Sequence, residues 1–458
     1  MKEFILKFRK STSKLNPSQM MVVGFAAVIL IGAILLSLPI ATQTGERTSF
    51  LDSLFTATSA VCVTGLVVVD TATHWNFFGQ IVIIILIQTG GLGFMTITTL
   101  FSLIVKKRIN LKERLLIQES LNQIDLSGLV KLTRYILLMT FVIEGIGALI
   151  LSTVFIPQFG FIRGSWYSIF HAISAFCNAG FDLMGNVTGP YSSLMYYVNN
   201  TTITLAISAL IILGGLGFPV ILDIVKNKKI SKLNMHSKIV LISTSILIVV
   251  GMLFILIVEY KNVGTLGNLS LKGKILSSLF QSVTIRTAGF ATIDLTILHQ
   301  ATLFIMMIFM FVGASPASTG GGVKTTTIAV LILTVKSFLL GKEDIEVFGR
   351  RITSSTVRKS VGIFFVGVLA VLTGILLIVL IEPEFDLLEA SFEVVSALAT
   401  VGLSIGGSPN LTFIGKLLIV IYMFMGRVGL LTIFLALVAK NTVNKQQIRY
   451  PEGRIIVG

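Results

Sequence analysis

Four stretches of this chain decide its fold: SLFTATSAVCVTGL (53–66), SIFHAISAFCNAGF (168–181), SSLFQSVTIRTAGF (277–290) and ASFEVVSALATVGL (390–403). Each closes on a glycine followed by Leu or Phe, and these glycines, Gly65, Gly180, Gly289 and Gly402, stand 115, 109 and 113 residues apart. Phe55, Phe170 and Phe392 lie ten residues before their glycine, whereas Phe280 comes one residue late, so the third copy is imperfect. Self-similarity at one period is the signature of a repeat architecture and is read before anything else.

Working outward, apolar runs flank every stretch, near 19–40, 76–104, 132–156, 202–225, 238–258, 302–336, 359–381 and 413–439. A spanning helix needs about 20 mostly apolar residues, so the eight runs read as spans. The four stretches are too short to cross and read as re-entrant pore helices. Leading runs carry a mid-helix glycine (Gly32, Gly147, Gly251, Gly374), and three end at a proline (Pro39, Pro157, Pro383). Trailing runs echo one another as LIQTGGLGF, LIILGGLGF, FMFVGASPAS and MFMGRVGLL. The expected fold is an all-α integral membrane protein of four tandem helix, pore-loop, helix repeats around a pseudo-fourfold axis. Its eight transmembrane helices and four pore helices divide as 1–107, 108–230, 231–342 and 343–458, with no soluble domain.

Composition agrees. The chain is 54% hydrophobic and 12% charged, against roughly 25% charged in soluble domains. Two cysteines, Cys62 and Cys177, make no disulfide framework and share no zinc-type spacing with the four histidines. The net charge of +15 is not a nucleic-acid footprint, because 27 Lys and Arg fall in alternate gaps and tails (1–18, 106–134, 226–238, 336–359, 440–458), where acids are few. Cytoplasmic loops are enriched in Lys and Arg, so both termini are expected in the cytoplasm. The basic, polar first residues precede a span-length run without a small-residue cleavage site, which predicts no cleaved signal peptide.

Four loops around an axis supply what a dehydrated cation needs, a ring of backbone carbonyls. Successive carbonyls point at one axis only if the backbone alternates in conformation, and glycine reaches positive φ without steric cost. The residues expected at the ion are Val63, Thr64 and Gly65; Asn178, Ala179 and Gly180; Thr287, Ala288 and Gly289; and Thr400, Val401 and Gly402. Their side chains vary because the ligands are main-chain oxygens. Pore helices directing their C-terminal, partially negative ends below the filter favour a cation there.

The sixth run is interrupted by GASPASTGGGVK, Gly313 to Lys324. Non-helical backbone at membrane depth is tolerated where protein buries it or water reaches it, which fits a loop lining the pore below the filter. GGGVKT is not a phosphate loop, since the Gly-Lys pair of that motif is absent and no strand precedes it. Arg427 sits inside an apolar run, where a charge marks function and needs a partner. Its five donors suit loop carbonyls. Arg286 occupies the place held by Cys62, Cys177 and Ala399 in the other copies and is expected to point behind the filter, paired with a pore-helix carboxylate such as Glu393. Cys62 and Cys177 read as packing residues. For Glu144 the residues leave open a buried helix contact or a water-filled crevice.

Over essentially its whole length the chain resembles the membrane subunit of the Ktr, Trk and HKT superfamily of potassium transporters, most of all the bacterial Ktr subunits. The resemblance implies K+ uptake across the cell membrane, with the filter glycines at Gly65, Gly180, Gly289 and Gly402. A serine at the first of these marks sodium-favouring plant relatives, so Gly65 implies potassium selectivity. The filters depart from the TVGYG of ordinary potassium channels, which implies less strict discrimination against sodium. It further implies an intramembrane gate of Gly313, Ala314, Ser315, Pro316, Ala317, Ser318, Thr319, Gly320, Gly321 and Gly322 with Lys324, paired with Arg427. Also implied is a homodimer, each chain with its own pore, seated on a soluble cytoplasmic ring of nucleotide-binding subunits. That ring would face the loops around Lys106–Arg134, Lys226–Lys238 and Lys336–Lys359, and the C-terminal RIIVG would dock at the dimer contact. No enzyme activity is expected, and no organic cofactor on this chain, the nucleotide belonging to the partner. Two other classes remain: an ion-coupled secondary transporter of sodium or potassium, which predicts two inverted repeats, and a non-conducting scaffold, which leaves the four glycine loops without a purpose.

Overall fold

The computed structural model describes residues 17–93, 129–429 and 432. Much of the 106–134 loop and the RIIVG terminus lie outside the described residues.

Each repeat begins with a long apolar helix: α1 Pro17–Leu36, α4 Leu129–Phe159, α8 Met235–Glu259 and α12 Ser354–Ile381. By length and composition these four can cross a bilayer. Pro39 and Pro383 lie just past the ends of α1 and α12, but Pro157 falls inside the last turn of α4, which runs on to Phe159. The repeated mid-helix glycines have a packing cause. A Cβ on Gly32 would meet the Leu86 side chain at 2.6 Å, on Gly147 Leu210 at 2.8 Å, on Gly251 Phe309 at 3.1 Å and on Gly374 Tyr422 at 2.7 Å. In all four copies a large side chain of the trailing helix thus fills the notch that the leading glycine leaves, and the small residue lets two backbones approach.

The pore helices follow as α2 Phe50–Cys62, α5 Phe161–Phe176, α9 Leu271–Thr284 and α13 Leu387–Ala399. Three start at a side-chain cap: Ser49 accepts from Asp52 N at 3.1 Å, Ser270 from Gly273 N at 3.2 Å and Asp386 from Glu389 N at 2.6 Å. Such caps satisfy amides that the helix itself leaves open.

The trailing helices correct the sequence reading. The second of them, expected as a continuous span, is broken as well as the third. Among the described residues the trailing helices begin with α3 Phe77–Leu92, α6 Thr201–Leu216, α10 Gln300–Phe311 and α14 Phe413–Val428. α3, α6 and α14 end at Gly93, Gly217 and Gly429, whose φ values of 82°, 92° and 94° make the helix end the same in three copies. After Gly217 the chain re-enters a helix, α7 Phe218–Asn227, bent by 98° from α6. In the third copy the ten-residue Gly313–Gly322 loop separates α10 from α11 Thr325–Leu339. A small hairpin of β1 Glu346–Val347 and β2 Arg350–Arg351 leads from α11 into α12.

Candidate ion pathway

Two residues before each closing glycine, at or just past the end of the pore helix, one residue stands in the left-handed region: Val63 (φ 56°), Asn178 (60°), Thr287 (66°) and Thr400 (52°). Two residues on, Gly65 (95°), Gly180 (71°), Gly289 (79°) and Gly402 (89°) have positive φ as well. The backbone therefore alternates identically in four copies. Three of the four left-handed positions hold β-branched residues, for which positive φ is a genuine outlier. Such strain persists only when the surroundings over-determine it.

The surroundings are hydroxyls of the pore helices. Ser59 Oγ accepts from Gly65 N at 3.0 Å and Ser396 Oγ from Gly402 N at 3.1 Å, while Ser174 Oγ donates to Phe181 O and Thr284 Oγ1 to Phe290 O, each at 2.7 Å. The hydroxyl follows the pore-helix Phe by four residues in every copy, but the glycine follows the hydroxyl by six residues in three copies and five in the third. Repeat three thus lacks one residue between Thr284 and Gly289, which is why Phe280 comes late.

The four segments close on one another. A Cβ on Gly65 would fall 2.6 Å from Ala179 O, on Gly180 2.8 Å from Ala288 O, on Gly289 2.9 Å from Val401 O, and on Gly402 against Thr64 O. The order 65, 180, 289, 402 returns to 65, a ring of four backbones in which each glycine leaves room for the carbonyl of the next copy.

One set of supporting residues escaped the sequence reading although the aligned stretches display it. The position after the pore-helix Phe is polar and wholly buried in every copy: Thr56, His171, Gln281 and Glu393. His171 Nε2 accepts from Leu183 N at 3.3 Å, and Glu393 accepts from Ser408 Oγ at 2.7 Å and from Ser404 Oγ, so both hold the chain leaving the ring. The Gln281 amide has no hydrogen-bond partner among the described residues.

Arg286 does not pair with Glu393. It lies buried behind the ring, as expected, but its Nη2 donates to Thr244 Oγ1 on α8 at 3.3 Å. Glu393 is committed to the two serines of its own repeat. Glu144 is buried: its carboxylate accepts from Gln88 Nε2 at 3.2 Å and from the Cys177 thiol at 3.8 Å, joining α4 to α3 and the second loop.

Below the ring lies the Gly313–Gly322 loop. Its amides at Ser315 and Thr319 donate to Gly215 O (3.1 Å) and Gly214 O (3.2 Å), and its Ala317 carbonyl accepts from Phe218 N at 2.9 Å. The broken end of α6 thus supplies the groups that a continuous helix would have consumed. Thr319 Oγ1 also reaches Phe176 O, at the end of pore helix α5, at 3.1 Å. Cβ atoms on Gly320 and Gly321 would run into the hydroxyls of Thr287 and Thr400, so the loop presses directly under two of the four segments. Two cations hold it there. Lys324 Nζ donates to Gly320 O (2.7 Å) and Gly321 O (3.3 Å), and Arg427 donates through Nη1 to Thr319 O and through Nη2 to Gly90 O and to Gly91 O, the last at 3.1 Å. Arg427 stands where the first two copies have Gly91 and Gly215.

Four strained, glycine-closed loops thus form a ring, and the Gly313–Gly322 loop lies against it. The sequence model of TrkH, described as a cation transport protein, matches residues 7–445. The chain belongs to the TrkH family. Among its curated relatives, the potassium/sodium uptake protein NtpJ of Enterococcus hirae is 43% identical over 98% of this chain and 99% of its own. Ktr system potassium uptake protein B of Bacillus subtilis is also 43% identical, over 97% of each chain. The crystal structure of the potassium transporter TrkH from Vibrio parahaemolyticus superposes with a TM-score of 0.70 at 18% identity, covering 90% of this chain and 84% of that one. This TrkH-family chain is therefore a multi-pass membrane protein of a family of transporters, not of enzymes.

Proposed function

We propose that the chain carries K+ inward across the cytoplasmic membrane, with both termini in the cytoplasm. Its filter consists of Val63, Thr64, Gly65, Asn178, Ala179, Gly180, Thr287, Ala288, Gly289, Thr400, Val401 and Gly402, one triplet from each of the four units proposed above. The observation that carries the reading is the closed ring of Gly65, Gly180, Gly289 and Gly402, each seated against the carbonyl that precedes the next glycine. Such a ring replaces an ion's hydration shell with main-chain oxygens. Expression in a strain lacking its own potassium uptake is expected to restore growth at low K+ in the wild type and not in a variant with the ring filled. Growth that ignores the ring would overturn the assignment. The name of the E. hirae relative favours a second cargo: Na+ is expected to compete with K+ in uptake.

The gate in this proposal is Gly313 to Gly322, held by Lys324 and Arg427. Its support is the placement of Gly320 and Gly321 under Thr287 and Thr400. In this reading two chains pair and a soluble partner controls the loop through its nucleotide-bound state; the name of the B. subtilis relative, protein B of a Ktr system, supports a partner subunit. A ligand on that partner shifts the gate only through contacts that differ between its two states. Uptake into liposomes is therefore expected to rise when the soluble subunit is added and to change with the nucleotide supplied. Full flux from the chain alone, insensitive to nucleotide, would remove the partner from the scheme.

A further inference from the structure

Beneath the loop, on the side away from the four glycines, the protein surrounds a cavity of ≈ 880 Å³. Lys324, Arg351, Lys359 and Arg427 line it, and no Asp or Glu is among the described lining residues. Lys324 and Arg427 direct their donors at loop carbonyls. Arg351 has an exposed partner, Asp344, at 2.8 Å. Lys359 is exposed and has no ion-pair partner among the described residues.

Two helices add to the same potential. The first turns of α11 (Thr326, Thr327) and α12 (Thr356) open on the cavity. Neither Lys324 nor Thr353, at their N-caps, supplies a side-chain cap. Helix N-termini carry partial positive charge. A cleft lined by one sign of charge with low-dielectric walls focuses that field and concentrates counter-ions. Below the constriction of a passage proposed to carry cations, Lys324, Lys359 and Arg427 have no carboxylate partner among the described residues, a concentration of positive charge that favours an anionic occupant.

We infer that this cavity is a binding site for a phosphate-bearing anion, with Lys359 and Arg351 as its principal ligands. A guanidinium presents a fork of donors matched to phosphate oxygens, and an ammonium supplies a compact point charge. The volume exceeds that of a lone phosphate, and part of the remaining wall, with Met21, Phe25 and Ile363, is apolar, while His236 and several hydroxyls make up other parts. The shared chemistry fits either a soluble diphosphate or the headgroup of an anionic lipid. The inference goes beyond the conduction reading and does not depend on which ion the ring selects.

The test uses the full chain in phosphatidylcholine nanodiscs, titrated calorimetrically with inorganic pyrophosphate. One saturable site per chain is expected, and R351Q/K359Q is expected to weaken it at least tenfold. K272Q, at an exposed lysine elsewhere, serves as the control and is expected to change nothing. Native mass spectrometry of protein from mixed phosphatidylcholine and phosphatidylglycerol supplies the second arm. Phosphatidylglycerol retained by the wild type and lost from the double variant assigns the site to a lipid headgroup, whereas pyrophosphate binding without such retention assigns it to a soluble anion. The proposal is overturned if the double variant binds pyrophosphate as the wild type does, or if neither pyrophosphate nor phosphatidylglycerol is held. Both substituted side chains are exposed, so folding is not at stake; K359Q alone, expected to lose affinity in the same direction, provides a milder check.

Discussion

Gly65→Ser is expected to raise the ratio of Na+ to K+ uptake at least tenfold. Gly65 has φ 95°, and a Cβ there would fall 2.6 Å from Ala179 O, an oxygen of the adjacent segment. The substitution therefore strains its own backbone, by about 1–2 kcal/mol if the left-handed region is kept, and pushes on the neighbouring carbonyl. Selectivity in a carbonyl ring depends on the number and placement of its oxygens, and a tenfold change in preference needs only about 1.4 kcal/mol. Backbone strain is separated from ring geometry by Gly160→Ser. Gly160 has φ 77°, yet nothing lies within 4 Å of where its Cβ would stand. That variant is expected to lose some stability and keep its ion preference. Radiotracer uptake of both ions into proteoliposomes, normalised to folded protein, decides the matter. An unchanged ratio in a well-folded Gly65→Ser protein would mean that the ring is not the filter.

Those glycines were legible because a physical demand, positive φ beside a neighbouring backbone, recurs four times and only glycine meets it cheaply. The residues two positions earlier were not. Val63, Thr287 and Thr400 are side chains that local rules keep out of the left-handed region, and they sit there because pore-helix hydroxyls fix the segments that follow them. The helix breaks were missed for a different reason. An apolar run such as LIILGGLGFPVILDIV has the length of a span whether it is straight or bent by 98°, and hydropathy does not register direction. The signal lay in Gly217 and Pro219, with the same GLGF in the first repeat. Arg286 and Glu393 show the limit of pairing charges by composition. They are opposite in sign and both buried near the ring, yet they belong to different repeats, and each found its donors or acceptors among neighbouring hydroxyls. Arg427 donates to backbone carbonyls, as an arginine in an apolar run has few other partners to find.

Arg427→Ala is expected to raise the maximal K+ flux about tenfold or more while leaving the half-saturating concentration nearly unchanged. The guanidinium donates to Thr319 O in the loop and to Gly90 and Gly91 at the end of α3, and so ties the obstruction to the frame around it. Hydrogen bonds from a charged donor contribute about 1.5–3 kcal/mol each, and only bonds made with the loop in place and lost when it moves bias the equilibrium. Removing about 3 kcal/mol of that bias changes the ratio of obstructed to open chains by roughly a hundredfold, and flux follows until the open state predominates. The helix tolerates a small residue at this point, since the corresponding positions in the first two repeats are Gly91 and Gly215. Loss of the positive charge works in the same direction, because on the proposed pathway a cation leaving the ring passes the guanidinium. Deleting residues 314–321 removes the obstruction itself and is expected to match or exceed the point variant. Single-exponential tracer uptake, scaled to monodisperse protein, gives the comparison. If both variants fold and carry no more K+ than the wild type, the loop supports the pore rather than closing it, and Arg427 is a brace between repeats.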